Sequence, residues 1–236
     1  MDCTFKYRLT FIFSLNCFLA LGQISMSSLY KEGHPSQVSG YIKKITPVDQ
    51  YIIPAALMTI GGVTIATKHI IDNDAIQHYR ERKFPSFRTH VDDYLQFSPF
   101  FIGSLLSTID KKSDQNLFYK RIAFNEIFIS FTVPLLKSIS RVRTPDSNRI
   151  NAFPSGHTAQ AFSSATLFAD TFGQKKPWIC IASYTVASAV GILRVLNNKH
   201  WMSDVIAGAG YGILSAKISE RVFSTIVHPE RKNHDL

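Results

Sequence analysis

Two short strings hold the side chains of this sequence best suited to chemistry: Pro154-Ser155-Gly156-His157 and Arg194-x5-His200-x3-Asp204. If Lys199 to Ser219 is helical, His200 and Asp204 lie four residues apart on one face, where their side chains can meet. A carboxylate there can accept a hydrogen bond from one imidazole nitrogen, fix the tautomer and leave the other nitrogen free as a nucleophile. Arg194 offers a planar fork that fits phosphate oxygens. Pro154-Ser155-Gly156 reads as a helix start, with Ser155 as a cap and free backbone N–H groups that suit an anion. His157 in that first turn could protonate a leaving oxygen and later deprotonate water. The competing readings are a helix-surface His–Asp pair and a capped helix with an idle histidine; each string alone favours them. Together the two strings suit phosphoryl transfer.

Upstream, Lys137-x3-Arg141-x-Arg143-Thr144-Pro145 puts three cations before a proline expected to interrupt the preceding helix. A solvated basic loop gripping lipid headgroups is the alternative for that cluster. In this order the three segments resemble the type 2 phosphatidic acid phosphatase and vanadium haloperoxidase superfamily. Its signature is Lys-x6-Arg-Pro, then Pro-Ser-Gly-His, then Ser-Arg-x5-His-x3-Asp. The second block matches at every residue from Pro154 to His157, and the third from Arg194 to Asp204, with Leu193 where serine is usual. In the first block Lys137 and Pro145 keep the spacing, Thr144 takes the arginine position and Arg143 lies one residue early.

The resemblance implies His200 as nucleophile, Asp204 orienting it and His157 as general acid and then base. It implies a phosphate cradle of Lys137, Arg143, Ser155, Gly156 and Arg194, with Arg141 as the substitute for Arg143. It also implies an all-α fold, a six-helix bundle of the acid phosphatase/haloperoxidase type, embedded in or associated with a membrane. No cofactor and no metal is expected: the sequence has no Cys-x2-Cys, no His-Glu-x2-His and no carboxylate cluster with ligand spacing.

The elements that must position these groups are helices. The uncharged or nearly uncharged stretches run 51–67, 94–109, 122–136, 158–169, 178–193 and 205–216, six in all, and strand signals are scarce. Lys68 to Asp93, rich in both signs of charge, reads as a long polar excursion. The apolar runs hold 12 to 17 residues against the ~20 that cross a bilayer, and the mean hydropathy is only +0.03. A soluble bundle would look similar, although Gly208-x3-Gly212 is a pattern that lets membrane helices approach closely.

At 236 residues the chain fits one domain. Lys6 and Arg8 before the apolar Leu9–Leu21 run suggest a signal peptide or signal anchor over 1–22. A polar segment (23–48), a helical phosphatase domain (49–219) and a polar tail (220–236) follow. A formal charge of +9 points to anionic partners. Nucleic acid is the weakest of these, because no aromatic-studded sheet or recognition helix accompanies the charge. The expectation is a metal-independent phosphatase acting on a phosphate monoester or diphosphate of a phosphorylated lipid through a phosphohistidine, in the inner membrane with its site facing the periplasm. A soluble periplasmic acid phosphatase and a non-catalytic phospholipid binder are the alternatives.

Overall fold

The computed structural model describes residues 49–67, 69–109, 115–147, 149–173 and 178–227. The candidate signal at 1–22, the polar segment to residue 48 and the last nine residues lie outside them. The described residues form eight helices: α1 (Asp49–Thr67), α2 (Asn73–Lys83), α3 (Val91–Leu95), α4 (Ser98–Ile109), α5 (Gln115–Ser140), α6 (Gly156–Phe172), α7 (Trp178–Leu196) and α8 (Met202–Val227).

The six apolar stretches correspond to α1 and α4 through α8. The two extra helices begin in the charged segment 68–93, where the sequence suggested a polar excursion, and the second runs on to Leu95. The reason is local. Asp72 caps α2 by accepting from the Ala75 N–H at 2.8 Å, and the basic last turn with Arg80, Arg82 and Lys83 suits the helix C-terminus. Nor does α8 stop near residue 219. Glu220 pairs with Arg121 at 2.9 Å, and Phe223 packs against Phe124 with ring centroids 5.9 Å apart, so residues 220–227 belong to the bundle.

Helix α6 is the axis. Every residue from Thr158 to Ala169 is buried, among α4, α5, α7 and α8. Helix α8 packs on α6 through Gly208 and Gly212: a Cβ on Gly208 would lie 2.6 Å from the Ser155 carbonyl oxygen, and one on Gly212 would lie 2.2 Å from that of Ala159. Only hydrogen at those positions permits the approach. On the other side of α8, Gly61 of α1 abuts Ser203, and Gly210 abuts Pro54.

These contacts fix direction. Helices α1, α5 and α7 run toward the end that holds the N-termini of α6 and α8, while α4, α6 and α8 run away from it. Lys137, His157, Arg194 and His200 therefore gather at one end of the bundle.

The outer face is apolar and uncovered. Phe101, Ile127, Phe131 and Ile139 are each about 70% exposed. Three helical stretches have the length and composition to cross a membrane: Gln50–Thr67, Asn116–Ser140 and Trp178–Leu196. Protein covers only 22% of the first and 17% of the second, so burial of those side chains falls to lipid. The helices outrun the apolar runs that defined them, which is why the runs looked short for a bilayer. The chain is a membrane protein.

The close crossing is testable. A methyl group at Gly212 meets backbone that no side-chain rotation can clear, so Gly212→Ala should destabilise the bundle by about 1–3 kcal/mol. Gly62→Ala, where nothing lies within 4 Å, should be neutral. Thermal midpoints in detergent compare them, and equal midpoints would contradict this packing.

Candidate active site

His200 does not lie inside a helix as the four-residue spacing suggested. Helix α8 begins at Met202, and His200 and Trp201 are its approach. Asp204 does two jobs from the first turn. Its Oδ2 accepts the Trp201 N–H at 2.9 Å, as acidic groups near helix starts do, and it lies 3.5 Å from His200 Nδ1. That is ion-pair range, longer than a hydrogen bond, and Nδ1 has no hydrogen-bond partner among the described residues. The His200 side chain is 6% exposed and that of Asp204 is fully buried. Burial, with Lys137 and Arg194 nearby, holds the His200 pKa below the ordinary histidine value against the opposing pull of Asp204. At neutral pH the imidazole is uncharged, the form a nucleophile needs.

Ser155 is the N-cap of α6. Its hydroxyl is not spent on the helix end but lies 2.9 Å from the Thr158 hydroxyl. Its N–H donates to the Asp204 carbonyl at 3.0 Å, which ties the start of α6 directly to the first turn of α8. Gly156 opens the helix beside Lys137: a Cβ on the glycine would lie 3.7 Å from Lys137 Cε. The Lys137 ammonium donates to the Asn151 carbonyl and lies within the electrostatic reach of Asp204 and Arg194.

Two carboxylates that sequence reasoning missed complete the site. Asp92, in α3, accepts from Arg194 Nη1 at 2.7 Å and from Asn197 Nδ2 at 2.9 Å. Its side chain is 1% exposed. Asp93 pairs with His157, Nε2 to Oδ1 at 2.8 Å, and lies 3.6 Å from Arg194 Nη1. The segment is held down by Asn197, which exchanges hydrogen bonds with the Thr89 backbone at 2.9 Å each way, and by Arg80 Nε, which donates to the Leu196 carbonyl at 2.9 Å. An adjacent acidic pair in a charge-rich stretch has no fixed spacing to either motif; its only sequence signal was that α2 and α3 are polar in an otherwise apolar bundle.

Asp92, Asp93 and His157 also form a group whose donor atoms lie within 4.8 Å of one another. Arg194 sits on both carboxylates and supplies the positive charge such a pair demands, so the cluster is a closed ion-pair network. Arg194 still keeps one buried donor, Nε, without a partner. An unmet guanidinium N–H beside a neutral imidazole is a place prepared for an anionic oxygen.

Burial and Arg194 lower the pKa of His157, Asp93 and Asp92 raise it, and the balance lies below the ordinary value. On Asp93 burial works upward, but hydrogen bonds from His90 and His157 together with the Arg194 charge hold it below the usual carboxylate range.

Arg143 departs from expectation. Helix α5 ends at Ser140, well before Pro145, and Arg141 turns the chain in the left-handed region at φ 51°. The Arg143 carbonyl accepts from the Trp201 indole at 2.8 Å, while its side chain is exposed and lines a separate cleft of about 350 Å³ with Asp72, Asp74 and Trp201. Among the described residues no hydrogen bond or ion pair joins its side chain to either histidine. Thr144, at the arginine position of the first block, is buried and bonds within its own loop to Ser147 at 3.1 Å.

The sequence model of the PAP2 superfamily matches residues 62–227. The chain belongs to the PAP2 superfamily. A lipid A 1-phosphatase of Porphyromonas gingivalis is 35% identical over 165 residues, which cover 68% of this chain and 36% of that protein; the chain thus spans about a third of that relative's length. The bacitracin transport permease protein BcrC of Bacillus licheniformis is 42% identical over 66 residues, 28% of this chain and 30% of that one. Two solved PAP2-type structures are similar in fold. One is the transmembrane phosphatidylglycerolphosphate phosphatase of Bacillus subtilis, at a TM-score of 0.49 and 19% identity over 74% of this chain and 97% of that one. The other is LpxE of Aquifex aeolicus, at 0.47 and 20% over 61% and 93%.

In this PAP2 chain the Asp92–Arg194 pair is almost dry, and removing one partner leaves an uncompensated buried charge. Asp92→Ala should therefore lower stability by about 3–5 kcal/mol, read by denaturant unfolding in detergent. A loss below about 1 kcal/mol would mean that water reaches the pair as it does an exposed one.

Proposed function

We propose that this protein is a phosphohydrolase that removes phosphate, from a monoester or a diphosphate, from a lipid-linked substrate through a phosphohistidine on His200, with no metal in the reaction. The observation that carries the reading is a buried His200 beside Arg194, whose Nε has no hydrogen-bond partner among the described residues.

The steps follow from that arrangement. With Nδ1 turned toward Asp204, His200 Nε2 attacks phosphorus in line. The bond to the leaving oxygen breaks, its electron pair stays on that oxygen, and His157 supplies the proton. Water, deprotonated by His157, then attacks the phosphohistidine, and the electron pair of the P–N bond returns to Nε2. Arg194, Lys137, the Ser155 hydroxyl and the Gly156 amide stand around the charge that develops on the equatorial oxygens. Arg143, in its separate cleft, is left outside the transition state.

The apolar outer face supports a lipid substrate over a soluble one, since the site lies at one end of helices whose exposed apolar side chains suit lipid. The Porphyromonas gingivalis relative makes a glycolipid phosphate the first candidate. We also propose that this end faces the periplasm, which places Lys120, Arg121 and Arg221 at the cytoplasmic end.

Phosphate release from purified protein in chelator, across lipid A, phosphatidate, a polyprenyl diphosphate and a soluble aryl phosphate, tests the reading. Release from at least one lipid is expected, and His200→Ala should lower it by at least about 10,000-fold with no trapped phosphoenzyme. Release that needs an added divalent cation, or lipid binding with no turnover, would overturn it.

The pH dependence has a definite sign. His200 must be neutral, so kcat/KM falls as pH drops through its pKa. His157 must carry its proton, so kcat/KM falls as pH rises through its pKa. Both lie below the ordinary 6.5, so the optimum should lie on the acid side of pH 6.5. An alkaline optimum would contradict the environments described.

A further inference from the structure

The two histidines are held alike, and only one holder lies in a motif. Asp204 faces Nδ1 of His200 and leaves Nε2 free. On His157 the arrangement is mirrored: Nε2 lies 2.8 Å from Asp93 Oδ1, and Nδ1 has no hydrogen-bond partner among the described residues. Asp93 is itself anchored, since its second oxygen lies 3.1 Å from Nδ1 of His90, whose side chain is 90% exposed. The first oxygen also lies 3.6 Å from Arg194 Nη1. Asp92, one residue earlier, faces inward and is taken by Arg194 and Asn197. Short helix α3 thus splits two adjacent carboxylates between two cations of the site.

Resting on the function proposed above, we propose that Asp93 is the positioning residue for the general acid. By accepting the Nε2–H of His157 it sets the tautomer, turns Nδ1 toward the leaving oxygen and keeps the ring protonated to higher pH than its surroundings would allow. The charged groups that act on His157 are Asp92 and Asp93 from α3 and Arg194 from α7; Lys137 of α5 and His200 with Asp204 at the start of α8 lie at the same end of the bundle. Arg194 and burial act against a second positive charge there, and the Asp93 carboxylate is the neighbour in hydrogen-bond contact that opposes them.

In the forward step the Nδ1–H proton passes to the departing oxygen as the P–O bond breaks, and the ring becomes neutral with Nε2–H still on Asp93. In the return step Nδ1 takes a proton from the attacking water as the P–N bond breaks. Asp93 holds the same hydrogen bond throughout and neither gains nor loses a proton. It touches no reacting atom.

The test is Asp93→Asn, which keeps shape and removes charge at a position whose side chain is 42% exposed, so the fold should tolerate it. Against an alkyl-type leaving group kcat/KM should fall about 10- to 100-fold, and against an activated aryl phosphate less than about 3-fold, because only the poor leaving group needs the acid. The alkaline limb should move down by about one pH unit. Equal losses on both substrates with an unmoved limb would reduce Asp93 to a structural role and overturn the proposal.

Independently of turnover, 15N-histidine NMR of the detergent-solubilised protein reads the ring directly. His157 should be the Nε2–H tautomer and titrate at lower pH in the variant. An Nδ1–H tautomer, or one pKa in both proteins, would overturn the proposal. Wild-type protein that hydrolyses nothing would sink the function proposed above, and the NMR result would still decide the pairing.

Discussion

Helices α6 and α8 cross with backbone against backbone, and the chemistry depends on that crossing. Gly208 and Gly212 give up side-chain burial to let the carbonyls of Ser155 and Ala159 into contact, and the Ser155 N–H completes the join by donating to the Asp204 carbonyl. His157 sits two residues beyond Ser155, and His200 lies four before Asp204. Their approach is thereby set by main chain, which cannot change rotamer. A crossing one side-chain layer wider would separate the two rings proposed above as acid and nucleophile, and effective concentration falls steeply with such misplacement.

Around this rigid join the charges nearly balance. Arg194 is clamped by Asp92, His157 by Asp93, and Lys137 by a backbone carbonyl, and the site lies in surroundings dry enough to lower both imidazoles. Neutral nucleophile and fixed cations are compatible here because each positive group leans on a carboxylate or carbonyl outside the phosphate position. Arg194 divides its fork, one nitrogen on Asp92 and another unpaired. Such an arrangement holds donors ready before charge develops and asks for little reorganisation when it does. The outer helices turn their apolar faces to lipid, and the site lies at one end of them.

The residues of the two strict motifs were legible because they keep a fixed order and spacing: His157, His200, Asp204, Arg194, Ser155 and Gly156 gather at one end of the bundle, and Lys137 of the first block joins them. Their surroundings were not. His200 precedes its helix because Asp204 serves the helix start as well as the ring. Arg143 was placed by counting back from Pro145, but the left-handed turn at Arg141 sets the path of that loop, and the Trp201 indole ties it down through the Arg143 carbonyl. Asp92 and Asp93 were invisible because the partner they answer, Arg194, lies about a hundred residues away and tertiary charge pairing leaves no local pattern. The same reason hid α2 and α3, whose polar surface docks on the α7–α8 turn, not on the apolar core. The length of α5 was underestimated because Lys120, Arg121 and Lys137 at its two ends are charged, although the helix runs through them.

The most direct measurement is the structure of the protein with orthovanadate, which adopts the five-coordinate geometry of a phosphoryl group in transfer. The account predicts vanadium bonded to His200 Nε2, the apical oxygen opposite it facing His157 Nδ1, and an equatorial oxygen on Arg194 Nε. Vanadate bound elsewhere, or held at this pocket with His157 turned away from the apical oxygen, would contradict the claim that these two rings work on one phosphorus.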